Sequence, residues 1–364
     1  MMSLLIFIIV LSILVIVHEY GHFATAKSLG VKVEKFSIGF GPKLFSRTFD
    51  GTEFMVCLIP LGGYVKMAGD ERSQCKGEAD EFFSHPAGHR ALIVLMGPVV
   101  NYVLAFLSFC VVYMIGYPTL SAKVGELIKD YPAQTAGLQM GDQIVRIDSK
   151  KIDSWEEMQQ YITTSQADTL TFIISRNQQE IVLPIQPRVE ELENIFGQKQ
   201  KIRLVGIKPL EDMIFLKYNF VTAVSKGAER LWEITNSTYE ALYRIATGAK
   251  SAKDLVTGPI GIFYVIKEAA TLGFSYLLYI VAVISASLAI FNLLPLPVLD
   301  GGHLFFLVVE KLRKRPLSSK TEEVVTRVGF SLIMCLAVFV FYSDFVRFGI
   351  IDKVMGFWQN FNFK

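Results

Sequence analysis

The chain has 364 residues, of which 52% are hydrophobic and only 19% are charged, and its mean hydropathy is +0.40. This composition excludes an ordinary soluble protein and predicts membrane spans together with some soluble mass. The formal net charge of +2 and the lack of a basic tract interleaved with aromatic residues predict no nucleic-acid partner. The four cysteines, none in CxxC spacing, are expected to be packing residues: Cys57, Cys75, Cys110 and Cys335.

The first predicted span covers residues 3–25, and its apolar run ends in the motif HEYGH at residues 18–22. On a helix, His18 and His22 face the same side, so both imidazoles can bind one zinc ion. Glu19 lies beside them as a candidate general base for a water molecule at that ion. Ionisable groups at membrane depth are usually functional, which disfavours a buried helix with two merely structural histidines. The run lacks a basic n-region and a cleavage site, so we expect a retained span.

The segment between residues 25 and 47 is rich in lysine and arginine, which predicts a cytoplasmic location by the positive-inside rule. Within it, residues 39–42 are expected to form a turn or loop. Residues 52–68 are short apolar β-type runs and predict a membrane-associated β-hairpin on the cytoplasmic side. Two interpretations stay open: a small cytoplasmic sheet, or an edge strand that pairs with an extended substrate. His85 and His89 are expected to be surface residues without a metal role.

A second span is predicted at residues 91–115, with a bend at residues 97–98, and it returns outward. Asn101 is a polar group at membrane depth, and we expect it to serve helix packing. Residues 116–210 then show strand-like runs and one amphipathic helix at 154–163, enough for one small α+β domain. Because this domain follows an outward span, we expect it on the extracytoplasmic side.

A glycine turn that leads into a strand occupies residues 136–148 and has the pattern AGLxxGDxIxxI. Together with Trp155 and the helix that follows, this pattern resembles a PDZ domain of the circularly permuted bacterial kind. The resemblance implies a groove that binds a peptide ligand by strand addition. The chain has room for one such domain.

Amphipathic helices at the membrane interface are predicted for residues 211–272, where apolar side chains at helical spacing alternate with charged ones. Residues 273–345 are expected to hold two further spans. The first of these runs from 274 to 294 and leads into an irregular segment of prolines and glycines around Asp300. Irregular backbone at membrane depth is tolerated only where it lines a protein-walled or wet site.

The basic residues that follow Asp300 predict that the third span ends on the cytoplasmic side, as HEYGH does. A fourth span at about 324–342 returns outward, and residues 346–364 are expected to form an extracytoplasmic tail. With residues 1–115 holding the first two spans, the sequence predicts a polytopic α-helical membrane protein with four spans. It adds a membrane-associated β-hairpin and one extracytoplasmic α+β PDZ domain.

A catalytic zinc ion usually has three protein ligands and one open position. His18 and His22 supply two ligands, and four residues are candidates for the third: Asp300, His303, His85 and His89. Asp300 is the preferred candidate because its depth and its irregular backbone both favour it. His303 is expected to flank the following helix.

The chain as a whole resembles the bacterial site-2 protease family, in the branch of the regulator of sigma-E protease. Four motifs carry the resemblance: HEYGH at 18–22, PLGGYVK at 60–66, GPVVN at 97–101 and the run from Asn292 to His303. The family's best-known Gram-negative members carry two tandem PDZ domains, whereas this sequence has room for one. A mechanism in which two PDZ domains filter substrates together is therefore not expected.

The resemblance implies a zinc metalloprotease that cleaves in or near transmembrane segments, with His18, His22 and Asp300 as zinc ligands and Glu19 as general base. It also implies that Asn292 helps to hold the substrate or the transition state. The strand residues Gly62, Gly63 and Tyr64 are expected to clamp an extended substrate.

The implied substrates are transmembrane proteins or peptides, such as anti-sigma factors already cut outside or signal-peptide remnants. The implied location is the bacterial inner membrane, with the lipid bilayer as a further partner. Two alternatives are a metal-binding transporter, whose ligands should be spread along a path, and a PDZ scaffold with a vestigial metal site. The intact Glu19 argues against both.

Overall fold

The computed structural model describes residues 2–72, 75–193, 199–249, 257–315 and 318–349. Within these ranges, four helices are long and apolar enough to cross a membrane: α1 (Met2–Ser28), α2 (Ala87–Ile115), α7 (Phe274–Asn292) and α9 (Ser319–Arg347). The four predicted spans are confirmed as apolar helices of spanning length. Most of the predicted tail, from residue 350 onward, lies outside the described residues.

The chain divides into two compact units. The membrane unit comprises residues 1–110, 225–240 and 251–364, and the strand-rich unit comprises residues 111–224 and 241–250. Each unit has its own apolar core.

The core of the membrane unit lies where α1 packs against α7 and α6 (Pro259–Leu272). Phe7, Val10 and Leu14 recur along one side of α1 at helical spacing, and they pack with Ile266 of α6. This packing fixes the axis of α1 within the unit, so the last turns of α1 have a defined position.

Two long paired strands follow α1: β1 (Val33–Phe49) and β2 (Thr52–Met67). They are joined at Asp50 and Gly51, which both have positive φ, as a tight hairpin turn requires. The register is irregular. Phe36 pairs with both Phe54 and Val65, so the first part of β1 lies between the two ends of β2.

This pairing corrects one prediction. Residues 52–68 do not form a hairpin by themselves, because the two halves of β2 both pair with β1 and lie on either side of residues 35–38. Residues 35–38 of β1 pair with residues 53–56 in the same chain direction, whereas residues 45–49 pair with residues 52–56 in the opposite direction, so β1 reverses between them. The expected turn at 39–42 lies at this reversal, where Gly39 and Gly41 have φ of +90° and +89°.

The strand-rich unit is built around a four-stranded sheet in the order β6-β5-β7-β8. The strands of the whole unit are β3 (Tyr117–Leu120), β4 (Val124–Leu127), β5 (Gln143–Ile147), β6 (Lys150–Lys151), β7 (Leu170–Arg176), β8 (Gln179–Ile185), β9 (Arg188–Glu193), β10 (Lys199–Leu204), β11 (Ile207–Pro209) and β12 (Met213–Leu216). Two helices, α3 (Pro132–Thr135) and α4 (Trp155–Thr164), accompany them. Alternating residues of β7, including Phe172, are fully buried in one apolar core, together with Ile144 and Ile147 of β5.

Helix α4 lies where the sequence predicts it, one residue later at each end. Ser154 caps it by accepting a hydrogen bond from the Glu157 N–H, and Met158 and Ile162 bury one face. The strands β3 and β12 pair with each other, so a segment expected to be helical contributes residues 213–216 to the strand-rich unit. These short strands carry too few residues for a periodic signal.

Helix α5 (Phe220–Ala246) begins at the cap Asn219, whose side chain accepts from the Thr222 N–H. Its middle part belongs to the membrane unit. There, Thr235 Oγ1 lies 2.6 Å from Tyr102 Oη of α2, and Arg230 donates to Tyr279 Oη of α7. These contacts join an amphipathic helix to two spans by polar groups.

Helix α8 (Asp300–Arg313) follows α7 after a short irregular segment, and α9 follows α8. Near its end, α9 carries Asp344, which is buried and accepts hydrogen bonds from the N–H groups of Gly258 and Gly261. Asp344 therefore caps the N-terminus of α6, where a negative charge is stabilised by the helix dipole.

Candidate metal centre

The last turns of α1 bring His18 and His22 to one side of the helix, and both are buried with 8% of their surface exposed. His22 Nδ1 lies 2.9 Å from the carbonyl oxygen of Ile93 on α2. A carbonyl cannot donate, so Nδ1 carries the proton and Nε2 presents a lone pair to the site. The orientation of this imidazole is therefore fixed by the second span.

The two spans approach closely because both carry glycine at their crossing. A Cβ atom at Gly21 would lie 2.3 Å from the carbonyl oxygen of Met96. A Cβ atom at Gly97 would lie 2.3 Å from His22 Nε2 and 2.9 Å from His18 Cε1. Small residues at a helix crossing allow backbones to touch in this way. The sequence predicts a bend at residues 97–98 but does not reveal that Gly97 contacts the histidines.

Asp300 reaches the histidines from the opposite end of the chain, on the first residue of α8. The N-terminus of α8 packs against the irregular segment that follows α7. Cβ atoms at Gly301 and Gly302 would lie 2.3 Å from the Leu293 carbonyl oxygen and 2.1 Å from that of Leu296. The two glycines therefore let Asp300 sit at this depth, a role the sequence indicates only as irregular backbone.

Three candidate ligand side chains converge at this site. His18 Nε2 is 3.3 Å from His22 Nε2 and 3.1 Å from Asp300 Oδ2, and His22 Nε2 is 3.6 Å from Asp300 Oδ1. A tetrahedral ion with bonds of about 2.0–2.1 Å keeps its ligand atoms roughly 3.3–3.4 Å apart. The three side chains are thus spaced as such an ion requires.

The hydrogen bonding of the group also fits a bound cation. Asp300 Oδ2 is buried and accepts no hydrogen bond, although His18 Nε2 lies close to it. Buried polar atoms are normally satisfied, and lone pairs that face one another repel. A divalent ion between His18, His22 and Asp300 satisfies all three at once. Two imidazoles and a carboxylate are a donor set that zinc accepts.

Among the residues that the structure describes, His18, His22 and Asp300 are the group of His, Cys, Asp or Glu side chains that could hold a metal ion together. The other candidates for the third ligand, His303, His85 and His89, are not members of it. His303 lies on α8 one turn beyond Asp300 and lines the same cavity. His89 lies on α2 and is exposed.

Glu19 lies between the metal centre and the end of β2. Its carboxylate is within hydrogen-bonding reach of the Val65 backbone. A Cβ atom at Gly63 would lie 3.4 Å from Glu19 Cγ and 2.7 Å from the Ser37 carbonyl oxygen. The close approach of the Ser37 carbonyl requires glycine at position 63, and the strand there lies in contact distance of Glu19.

The residues predicted to bind substrate divide into two groups. Asn292, the last residue of α7, places Nδ2 3.4 Å from His18 Nε2, and Tyr64 lines the cavity at the metal centre. Gly62 is not among the residues that line this cavity. It has φ of +119°, and a Cβ atom there would lie 2.2 Å from the ring of Phe40. Phe40 in turn stacks on Tyr64, with ring centroids 6.3 Å apart.

A cavity of about 1080 Å³ opens onto the metal centre. Its walls include Val65 and Met67 of β2, Leu299 and Phe306 around α8, and Thr326 of α9. Such a cavity has room for an extended stretch of peptide beside β2. The arrangement can therefore polarise a peptide carbonyl, position a water molecule, and transfer its proton through Glu19.

Four spanning helices and a His-His-Asp centre with an adjacent glutamate define a multi-pass membrane protein with the site of a metallopeptidase. The comparisons with known proteins agree. A family model described as "Peptidase family M50" matches residues 6–336. The chain therefore belongs to peptidase family M50, which confirms the resemblance to site-2 proteases at the level of the family.

Relatives match nearly the whole chain. A protein of Mesorhizobium japonicum, described as a candidate zinc metalloprotease, is 34% identical over 356 residues, covering 93% of this chain and 97% of the relative. One of Agrobacterium fabrum with the same description is 35% identical, covering 93% and 94%. The metalloprotease MmpA of Caulobacter vibrioides is 32% identical over 383 residues, covering 95% and 96%.

Solved structures match a smaller part. The PDZ domain of an SdrC-like protein from Listeria innocua is 24% identical, covers 24% of this chain and 92% of that domain, and has a TM-score of 0.19.

Proposed function

We propose that this protein is an intramembrane zinc protease that hydrolyses peptide bonds in or near the transmembrane segments of single-span substrates. The observation that carries this proposal is the convergence of Asp300 with His18 and His22, which lie beside Glu19 on a helix of spanning length. The names of the relatives support zinc as the metal. The bound ion would supply Lewis acidity toward a water molecule and toward the scissile carbonyl.

The side chains of this chain would perform the remaining steps. Glu19 accepts a proton from the attacking water and later donates it to the leaving amine. Asn292, beside His18, donates its Nδ2–H to the carbonyl oxygen of the substrate as negative charge develops there. The Ile93 carbonyl holds His22 in the tautomer that leaves Nε2 free for the metal.

Strand pairing would present the substrate. A peptide in a transmembrane helix hides its carbonyls in i to i−4 hydrogen bonds, so it must unwind locally before hydrolysis. Residues 63–67 of β2 pair with β1, and Val65 and Met67 also line the cavity at the metal centre. An unwound substrate could add to β2 as a further strand and satisfy its freed backbone groups there.

The substrate class and the membrane are further parts of the proposal. We propose that the substrates are anti-sigma factors already cut outside the cell, or signal-peptide remnants, in regulated intramembrane proteolysis. The basic residues after α1 and after α8 support a metal centre near the cytoplasmic face of a bacterial inner membrane. The same rule supports an extracytoplasmic PDZ domain, which would exclude substrates with large outer domains or bind a peptide in its groove.

The test compares purified wild-type protein with the Glu19→Gln variant on a single-span transmembrane peptide in proteoliposomes. The proposal expects cleavage by the wild type, a loss of at least about 100-fold in the variant, and one zinc ion per chain in both. Equal zinc flux across the bilayer with no cleavage would instead support a transporter. Zinc content without cleavage or flux would support a scaffold.

The substrate filter has its own test. Removal of the strand-rich unit should include both β3 and β12, because these strands pair with each other. We expect the shortened chain to cleave substrates that still carry a folded outer domain. If such substrates remain uncut, the exclusion role is wrong.

A further inference from the structure

A cluster of four charged side chains joins four separate segments of the membrane unit. Arg72 lies in the segment after β2, Arg90 at the start of α2, Glu310 on α8 and Glu322 in the first turn of α9. Arg90 Nη2 is 2.6 Å from Glu310 Oε1, and Arg72 Nη2 is 2.8 Å from Glu310 Oε2. Arg72 also reaches Glu322, with Nε 3.2 Å from Oε2.

The two arginines differ in how firmly they are held. The Arg90 side chain is 5% exposed, and its Nε donates to the His85 carbonyl oxygen as well. The side chains of Arg72 and Glu322 are 20% and 22% exposed. Both guanidinium groups lie over the ring of Phe83, at 4.3 Å for Arg72 and 5.3 Å for Arg90. Arg72 would therefore keep Glu310 and Phe83 as partners if its contact with Glu322 were broken.

All four charged residues line the cavity that contains the metal centre. Glu322 and Thr326 of α9 form part of one wall, and Val65 of β2 forms part of another. A peptide that pairs with β2 at the metal centre must therefore lie between β2 and this end of α9. The position of α9 decides how much room that peptide has.

Helix α9 is attached to the membrane unit at few points. Only 6% of its apolar stretch is buried, and its buried residues among those described are Gly329, Ser343 and Asp344. Asp344 holds the far end of the helix through the N-terminus of α6. At the near end, the described side-chain hydrogen bond between α9 and another element is the one from Arg72 to Glu322.

From these contacts we infer that the Arg72–Glu322 ion pair is a latch that holds the near end of α9 against the cavity. Release of the latch lets α9 move away from β2 while its far end stays attached at Asp344. This inference rests on the proposed function, since the cavity then opens to the substrate of the protease. Arg90 and Glu310 would stay paired in both states and act as the fixed part of the cluster.

The experiment measures access to the cavity and needs no proteolysis. A chain without its four cysteines, carrying Glu19→Gln and the reporter Thr326→Cys, is labelled with a water-soluble maleimide in proteoliposomes. Adding Glu322→Gln should raise the labelling rate about fivefold, as loss of one partly buried ion pair shifts a two-state equilibrium. The matched control is Glu323→Gln on the same turn, whose ion pair with Arg327 is exposed, and it should leave the rate unchanged.

A double variant separates a latch from general damage to the fold. Arg72→Gln combined with Glu322→Gln should label no more than about twofold faster than Glu322→Gln alone, because both substitutions remove the same contact. Labelling that is unchanged in Glu322→Gln, or raised equally in Glu323→Gln, would overturn the latch. The labelling result stands whether or not the wild type cleaves a peptide, so a failure of the proposed function can be recognised separately.

Discussion

Helices α2 and α9 are both 29 residues long and similarly apolar, yet they are packed very differently. In the apolar stretch of α2, 39% of the residues are buried, against 6% in that of α9. Helix α2 touches α1 backbone to backbone and orients His22, whereas α9 is held by a few contacts and faces the cavity. One span therefore provides a rigid support for the metal centre, and the other provides a movable wall of the cavity.

The largest expected effect concerns α2, the rigid support of the metal centre. Gly97→Ala would place a Cβ atom against His22 Nε2, in the space the ligands need. We expect zinc affinity to fall about 10–100-fold, as for other changes that disturb ligand orientation. Zinc content after dialysis against a weak chelator measures this.

Gly88→Ala is the matched control, because a Cβ atom at that position meets nothing within 4 Å. It lies on the same helix and should retain zinc. Equal zinc content in the two variants would mean that the crossing of α1 and α2 does not position the histidines.

A smaller effect is expected where α9 is attached. Asp344→Asn keeps the size of the side chain but leaves one of two buried N–H groups, of Gly258 and Gly261, without a good acceptor. We expect a loss of about 1–2 kcal/mol in the free energy of unfolding, the range for removal of a helix cap. Unfolding in detergent measures the loss, and Arg347→Gln in the exposed last turn of α9 serves as control.

The next prediction applies the same substitution to both regions. Gly21→Ala forces a Cβ atom against the Met96 backbone, and we expect a loss of about 1–3 kcal/mol in the free energy of unfolding. Gly329→Ala on α9 meets the ring of Pro297 at 2.8 Å, but α9 can shift outward. The gain in helix propensity of about 1 kcal/mol should then offset most of the strain. A loss at Gly329 as large as that at Gly21 would contradict the difference in packing.

The smallest expected effect is a pH dependence at Glu310, the carboxylate that links α2 to α8. Burial works to raise its pKa, but hydrogen bonds and charges from Arg90 and Arg72 outweigh burial, so the pKa of Glu310 is lowered. The stabilisation is therefore present above the ordinary glutamate pKa of about 4.3 and is lost as pH falls through the lowered value. As pH is lowered from 6 to 3, the midpoint temperature of thermal unfolding should fall less steeply in Glu310→Gln than in the wild type. Parallel curves would mean that Glu310 is not coupled to folding.

The sequence by itself determined the spans, because about twenty consecutive apolar residues in water have few alternatives to a membrane helix. It also indicated the chemistry, because HEYGH on a helix places His18 and His22 on one side. Asp300 could be selected as their partner because a carboxylate on irregular backbone in an apolar segment needs a reason to be there. These arguments use only local spacing and polarity.

The tertiary structure decided what depends on contacts between distant segments. No local pattern shows that Gly97 touches His22, that residues 33–49 are the partner of residues 52–67, or that Arg72 reaches Glu322. Helices α2 and α9 have equal length and similar hydropathy, and only their contacts with neighbouring segments make α2 a rigid support and α9 a weakly attached wall of the cavity. Hydropathy sets whether a helix enters the membrane, whereas small residues and buried polar partners set how tightly it packs once there.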